Sequence, residues 1–461
     1  MSSVSISANI SKTDLAALQI TTPERERWMR ASWFDQTILG GHANRDFFQK
    51  ISAVYKKRLG LESDRIFKKV WDQALAAHDI RWDVRKPLTI EEFNKIEAVL
   101  KDTLIYHGKG VEIDGAGPDP QVHEIIQFLL GQGTPSREWL NAKNAKGILI
   151  RKDPALLKAM RDEFRAVLKS CGEHLPIPGS KEEILYKTFI GNIVALLPYA
   201  YPEEGEVFSI PQKINGEWKN SVYTVDRKIE LSPKWFSSPI AAYGLTSKEG
   251  PPLLTFLGTT YPAGEGYLAT LLSDVTPFMS VGHAPYIYGK KQIEEWLNDK
   301  EQVRLCGTSL GGALSFHVLR NHKEKIAQVD AYNPPGLHPW QWKEKFNDSV
   351  EINIVYNEND LVGTLGAFPE GDKVNVIRPV LEKNQNSIKA HAQAYSGNKE
   401  VMLLKSDPAY ENSRISRKLL TVCHFFLSCL LAFIPILLAY LVFSLFNALI
   451  FHPLGLLKQK I

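Results

Sequence analysis

"VRLCGTSLGGALSFHV", residues 303–318, changes character twice along its length. Val303, Leu305 and Cys306 form a short apolar run, Gly307 to Gly312 are mostly small, and "ALSFHVLRNH" then carries apolar residues at helical spacing. That order predicts a strand, a sharp turn and a helix. Glycines on both sides of Ser309 let strand and helix approach without Cβ atoms between them, which is what exposes a nucleophilic serine at such a turn. The G-x-S-x-G spacing is a weak signal by itself. The other reading is a tight turn in which Ser309 only caps the helix.

Before the serine, "SVYTVDRKIELS" (221–232) partly alternates and "PIAAYGLTSK" (239–248) and "PPLLTFLGTT" (251–260) are compact apolar runs bounded by Gly and Pro; these predict strands, as do residues 302–306, 326–333 and 350–356 around and after it. Helical patterns at 265–273, 290–299 and 309–321 alternate with them. Such alternation implies a mainly parallel sheet covered on both faces, with its site at the carboxyl ends of the strands.

A serine hydroxyl needs a base to take its proton, and the base needs an acid to orient it. Asp360, in "VEINIVYNENDLVG", stands just past a strand. Asp330 lies inside a strand run, Asp348 precedes one and Asp372 is a turn residue, so all three are worse placed. Between Asp360 and the apolar C-terminal segment the sequence has one histidine, His391. His317 and His322 ride on the helix after Ser309, pointing away from it, and His283 is the alternative base. Asp360 as a turn former and His391 as a surface residue are the plain alternatives.

With these residues in place, the region from about 206 to 400 resembles the class 3 lipases, a branch of the α/β-hydrolase fold typified by fungal triacylglycerol lipases. The likeness rests on "LLTFLGTT", "GTSLGGA", "VDAYNPPG", "VYNENDLV" and the segment of His391 and Tyr395. The resemblance implies Ser309 as nucleophile, Asp360 and His391 as its triad partners, and the backbone N–H groups of Leu310 and Thr259 as the oxyanion hole. It also implies a lid over residues 261–279, which Gly264 and Gly266 could hinge; an ordinary surface helix is the plain alternative there. Leu257 and Thr308 depart from the arginine and histidine usual there, which marks a divergent relative. The expected fold is α/β: a mainly parallel α/β-hydrolase-type sheet with helices on both faces, preceded by a mostly helical region and followed by a transmembrane segment.

The rest of the chain bounds the function. The 55 basic and 51 acidic residues leave a net charge of +4 on 461 residues, which argues against a nucleic-acid partner. Four scattered cysteines support neither a disulfide framework nor a metal site, and no cofactor is implied. The N-terminus has no standard secretory signal. Residues 419–451 contain no charged side chain. Such a stretch is expected in a membrane, and as one helix it reaches about 50 Å against a hydrocarbon core of about 30 Å. Arg414, Arg417 and Lys418 before it and Lys458 and Lys460 after it favour a hairpin bent at Pro435 over a single long helix.

The expected organisation is a mostly helical region 1–205, a lipase-like domain 206–405, a basic linker 406–418 and a membrane hairpin or long helix 419–457. Residues 187–202, "KTFIGNIVALLPYAYP", are expected as a buried helix packed on the second domain. The expected function is a membrane-anchored serine ester hydrolase acting on lipid acyl esters. Acyl transfer or thioester cleavage by the same triad, and an inactive hydrolase fold serving as a tethered binding module, are the alternatives.

Overall fold

The structure is a computed structural model that describes residues 64–80, 89–109, 154–233, 240–259, 279–342, 350–357, 359–380, 390–391 and 400–446, with four further positions before residue 57, and only the backbone beyond residue 430. In chain order, α1 (Asp64–Ala77), α2 (Ile90–Thr103), β1 (Leu104–Lys109), α3 (Pro154–Glu173) and α4 (Lys181–Leu196) come first. The strands β2 (Val207–Ile214), β3 (Glu217–Glu230), β4 (Ala241–Ser247) and β5 (Leu253–Phe256) follow. Then α5 (His283–Leu297), β6 (Val303–Thr308), α6 (Leu310–Asn321), β7 (Ile326–Tyr332), β8 (Glu351–Val355), β9 (Val374–Val380), β10 (Glu400–Ser406), α7 (Pro408–Ser413) and α8 (Ile415–Phe446) complete the described elements.

All the described strands join one ten-stranded sheet in the order β1-β10-β9-β8-β7-β6-β5-β4-β3-β2. The five central strands β5 to β9 are parallel, and the strands on both flanks are antiparallel. The α/β class expected from the alternating pattern is therefore the class observed, but the sheet is mixed where a mainly parallel one was expected, because antiparallel strands flank the parallel centre on both sides.

Topology explains why α3 and α4 share a core with the strands that follow residue 205. From β5 to β9 each strand lies beside its predecessor, always stepping the same way. Right-handed crossovers that step one way put their helices on one face. That face carries α5 and α6, whose Ile293, Trp296, Leu314 and Phe316 pack with Leu254, Leu305 and Val329 of the sheet. The opposite face would be bare. It is covered by α3 and α4, whose Phe164, Phe189 and Ile193 share a core with Phe208, Tyr243, Tyr332 and Leu403. α4 is buried on nearly every side from Leu185 to Leu196, as the apolar run of residues 187–202 suggested, and Pro198 turns it into a short 3-10 segment, Leu197–Ala200. The boundary expected at residue 205 thus crosses a single core, and β1 extends the sheet beside β10.

Two expectations at the C-terminal side are corrected. Residues 406–418 are folded rather than a linker: Asp407 caps α7 by accepting from the Ala409 N–H, and Glu411 and Arg417 are buried. α8 begins at Ile415 and its backbone continues as helix through Pro435 to Phe446, without the expected hairpin bend. "LAFIPILLAY" offers Pro435 no Gly, Asn or Asp with which to make a turn. Among the described residues no helix is long and apolar enough to cross a membrane. On α8 the described side chains end at Leu430, and over that length Arg417, Thr421 and Ser428 face the protein while Ile415, Leu419, Val422, Phe426 and Leu430 are exposed.

Candidate active site

Ser309 sits between β6 and α6 with φ 54° and ψ −124°, a backbone conformation that costs an L-residue on the order of 1–3 kcal/mol. Neighbouring contacts hold it there. Its N–H donates to the Tyr332 carbonyl at 2.8 Å, and its own carbonyl accepts from Gly312 N–H at 2.9 Å. The flanking glycines are a steric requirement: a Cβ on Gly307 would stand 2.3 Å from the Gly311 carbonyl, and one on Gly311 would stand 2.4 Å from the Phe256 carbonyl. The sequence pattern around the serine therefore records how closely β5, β6 and α6 approach one another.

The base and acid arrive from the far side of the sheet order. Asp360 is fully buried just beyond β8, where its Oδ1 accepts from Val362 N–H at 2.8 Å and its carbonyl accepts from the Thr364 hydroxyl at 2.7 Å. His391 places Nδ1 2.8 Å from Asp360 Oδ2 and Nε2 2.8 Å from Ser309 Oγ. Both contacts fit one tautomer: Nδ1–H donates to the carboxylate and Nε2 accepts the serine hydroxyl proton. The three residues singled out from the sequence are thus brought together within hydrogen-bond distance. Ser309 and Asp360 are buried, and the His391 side chain keeps 23% of its surface open.

The oxyanion-hole candidates lie beside the serine. Leu310 is the first residue of α6 and fully buried. Thr259 follows β5, whose Phe256 pairs with Gly307 across the parallel ladder. A Cβ on the intervening Gly258 would meet the Thr308 carbonyl at 2.6 Å and the Tyr199 hydroxyl at 2.3 Å, so this loop runs directly against the residue before the nucleophile. The expected lid, apart from Met279, and Tyr395 lie outside the described residues.

The competing candidates are occupied elsewhere. His283 opens α5, where burial lowers its pKa and its ring stands edge-on to His317 at 5.4 Å between centroids. His317 is fully buried, its Nε2 3.0 Å from the Val281 carbonyl, and burial depresses its pKa to about 3. Asp330 belongs to an ion pair in the sheet, with Arg304 Nη2 at 2.8 Å and an amide from Asn353 at 2.9 Å. Burial opposes its charge, but Arg304 and Lys187 outweigh that and hold the carboxyl below its usual range.

Two supporting residues are not among those predicted for the site, although Asn333 lies within "VDAYNPPG". Asn333, in a left-handed conformation at φ 46° after β7, donates its side-chain amide to the His391 carbonyl at 2.8 Å and accepts from Asn357 N–H at 3.3 Å, so it ties the base to the strand exit that carries the acid. An Asn at a strand end before Pro-Pro is a faint signal for such a position. Tyr199, from the 3-10 segment after α4, donates to the Thr259 carbonyl at 3.1 Å. No signal in the sequence joins those two residues.

The chain matches no protein-family model, and no characterised protein matches it in sequence.

Proposed function

We propose that the chain is a membrane-anchored serine hydrolase of the lipase type that cleaves acyl esters of lipids through an acyl-enzyme. The observation that carries this reading is the relay Ser309 Oγ, His391 Nε2, His391 Nδ1, Asp360 Oδ2, with both contacts at 2.8 Å. A structural serine at a helix cap has no need of a buried Asp-His pair aimed at its hydroxyl.

In the proposed reaction Ser309 Oγ bonds to the ester carbonyl carbon as its proton passes to His391 Nε2. Asp360 stabilises the imidazolium that results. The negative charge on the carbonyl oxygen is met by the N–H groups of Leu310 and Thr259, which are fixed before the charge develops. Breakage of the ester C–O bond releases the alcohol, which takes the proton from His391. Water then loses a proton to His391 and attacks the acyl-enzyme, freeing the carboxylic acid and restoring Ser309.

The lipid part of the proposal is supported by the uncharged stretch 419–451 and by the row of exposed apolar residues on the root of α8, Ile415, Leu419, Val422, Phe426 and Leu430. An enzyme held at a bilayer by such a segment meets lipid esters at high effective concentration. The test is labelling by a fluorophosphonate probe together with hydrolysis of a short-chain nitrophenyl ester. Wild type is expected to label and turn over, Ser309→Ala to do neither, and His391→Ala to lose about a thousandfold or more of the rate. Labelling that survives Ser309→Ala removes the nucleophile assignment, and an unaltered rate in His391→Ala removes the base.

A further inference from the structure

Arg417 is the least expected side chain in the protein. It lies in the first turn of α8, next to the uncharged stretch, in a segment whose composition reads as a linker. Yet it is 1% exposed. A buried guanidinium is costly unless its donors are met, and the usual partner is a carboxylate. Arg417 instead spends its fork on backbone: Nη2 donates to the Gly363 carbonyl at 2.8 Å, and Nη1 to the carbonyls of Gly366 at 3.1 Å and Leu365 at 3.3 Å. Its flat face lies over the Phe368 ring at 4.0 Å, where a cation is attracted to the ring's negative face.

Those carbonyls belong to the loop that leaves Asp360. Thr421, one turn further along α8, accepts from Gly366 N–H at 2.9 Å, and Asn412 both accepts from Phe368 N–H and donates to its carbonyl, at 2.8 and 2.9 Å. Gly363 is the point of transmission. A Cβ there would stand 2.8 Å from Asp360 Oδ2, the same oxygen that receives His391 Nδ1–H, so the backbone that Arg417 grips is packed directly behind the triad carboxylate. Asp360 is in turn tied to that loop through Val362 N–H and the Thr364 hydroxyl.

We infer that Arg417 is a positioning residue for Asp360, so that the root of the C-terminal helix is part of the active-site framework and not a passive tether. The inference rests on the reading of Ser309, His391 and Asp360 as the catalytic relay. An aliphatic residue at 417 leaves three loop carbonyls without their donors, and the loop loses the clamp that keeps Gly363 against the carboxylate. The Asp360 to His391 hydrogen bond then loosens while the imidazole, which Arg417 does not touch, stays in place. A looser carboxylate gives less support to the charge that His391 takes on in the proposed reaction.

The experiment uses the full chain in detergent micelles, as wild type, Arg417→Met, Arg417→Lys and Thr421→Val. The first readout is proton NMR of the downfield His391 Nδ1–H resonance, assigned by its absence in His391→Ala. Arg417→Met is expected to shift the resonance upfield or abolish it, with Thr421→Val moving it less and Arg417→Lys restoring part of the wild-type signal. The second readout is hydrolysis of a soluble short-chain ester, where kcat falls about tenfold or more in Arg417→Met and KM hardly moves. An unchanged resonance in folded Arg417→Met overturns the inference. If that variant does not fold, Thr421→Val decides in its place: an unmoved resonance overturns the inference, and a shifted one supports it. A wild type that hydrolyses no ester defeats the proposed function, and the NMR result still decides the role of Arg417.

Discussion

The two halves of the candidate site are held in opposite ways. Ser309 is fixed by its own neighbourhood: the elbow between β6 and α6 is stabilised by glycines two residues to either side and by a hydrogen bond to the adjacent strand. Asp360 and His391 are fixed from a distance, by Asn333 across β7, by the loop 361–368, and by Arg417 and Thr421 from the root of α8. Geometry made locally is rigid whatever the rest of the chain does. Geometry assembled from remote pieces is adjustable, and it links the acid to the segment expected to meet a membrane.

The sharpest way to break this contrast is to add one methyl group on each side of it. In Gly311→Ala the new carbon meets backbone, the Phe256 carbonyl at 2.4 Å, and nothing there can rotate aside. The expected outcome is overpacking that costs about 3 kcal/mol and is seen as a large fall in melting temperature with loss of folded protein. In Gly363→Ala the methyl meets the Asp360 side-chain oxygen at 2.8 Å and Tyr356 Cδ2 at 3.2 Å. Here melting changes much less while ester turnover drops, because the carboxylate moves off His391. Equal losses of stability in the two variants, measured by thermal melting beside kcat, mean that both halves are held alike.

The same difference decides what the sequence reveals. The elbow is written in consecutive residues, so Ser309 and the Gly-Thr strand end at Gly258 and Thr259 are legible at once. Asp360 and His391 are found by chain order and by the scarcity of alternatives. Asn333, Tyr199 and Arg417 are not found, because each acts on a partner at least 51 residues away, as Arg417 does on Gly366. Among the strands, β6, β7 and β8 stand out as apolar runs. β9, "VNVIRPV", is hidden by Arg378 and Pro379, and a proline argues against an interior strand. α7 and the root of α8 read as a linker because their charges look like a solvated surface. In the fold Glu411 is fully buried against Arg378 at 3.5 Å and Arg414 at 3.0 Å, with hydrogen bonds from the Ser406 and Tyr356 hydroxyls.

That buried cluster gives the remote half a pH dependence of its own. Burial pushes the Glu411 carboxyl up, but Arg378 and Arg414, aided by the two hydroxyls, outweigh it and hold the group at about 2, against an ordinary value of 4.5. The unfolded chain therefore takes up this proton first as the pH falls. Stability from Glu411 is complete above about pH 4.5 and is lost between there and about pH 2. Denaturant melts at pH 6, 4 and 2 are expected to show wild type losing its advantage over Glu411→Gln across that window. Parallel curves for the two proteins mean that the cluster does not hold the root of α8 through this charge. His317 adds a separate acid penalty: its folded pKa of about 3 lies below the ordinary 6.5, so stability also declines from pH 6.5 downward, equally in both proteins.

The smallest effect is expected where the N-terminal helical layer touches the site. Tyr199 donates to the Thr259 carbonyl at 3.1 Å, and in the proposed reaction the Thr259 N–H is the second oxyanion donor beside that of Leu310. Tyr199→Phe removes only the hydroxyl and leaves the ring packed beside the loop. A hydrogen bond of this kind contributes about 0.5–1.5 kcal/mol, which corresponds to a loss of roughly threefold to tenfold if it acts on the transition state. Because the Thr259 N–H meets charge that develops only as the ester is attacked, the loss belongs in kcat and not in KM. Melting temperature should change by a few degrees at most, since a single part-buried hydrogen bond is lost. A kcat for a short-chain ester equal to wild type within error limits residues before 205 to covering the sheet. A reduced kcat at unchanged KM makes the oxyanion loop, like the acid and the base, a part of the site that distant sequence holds in place.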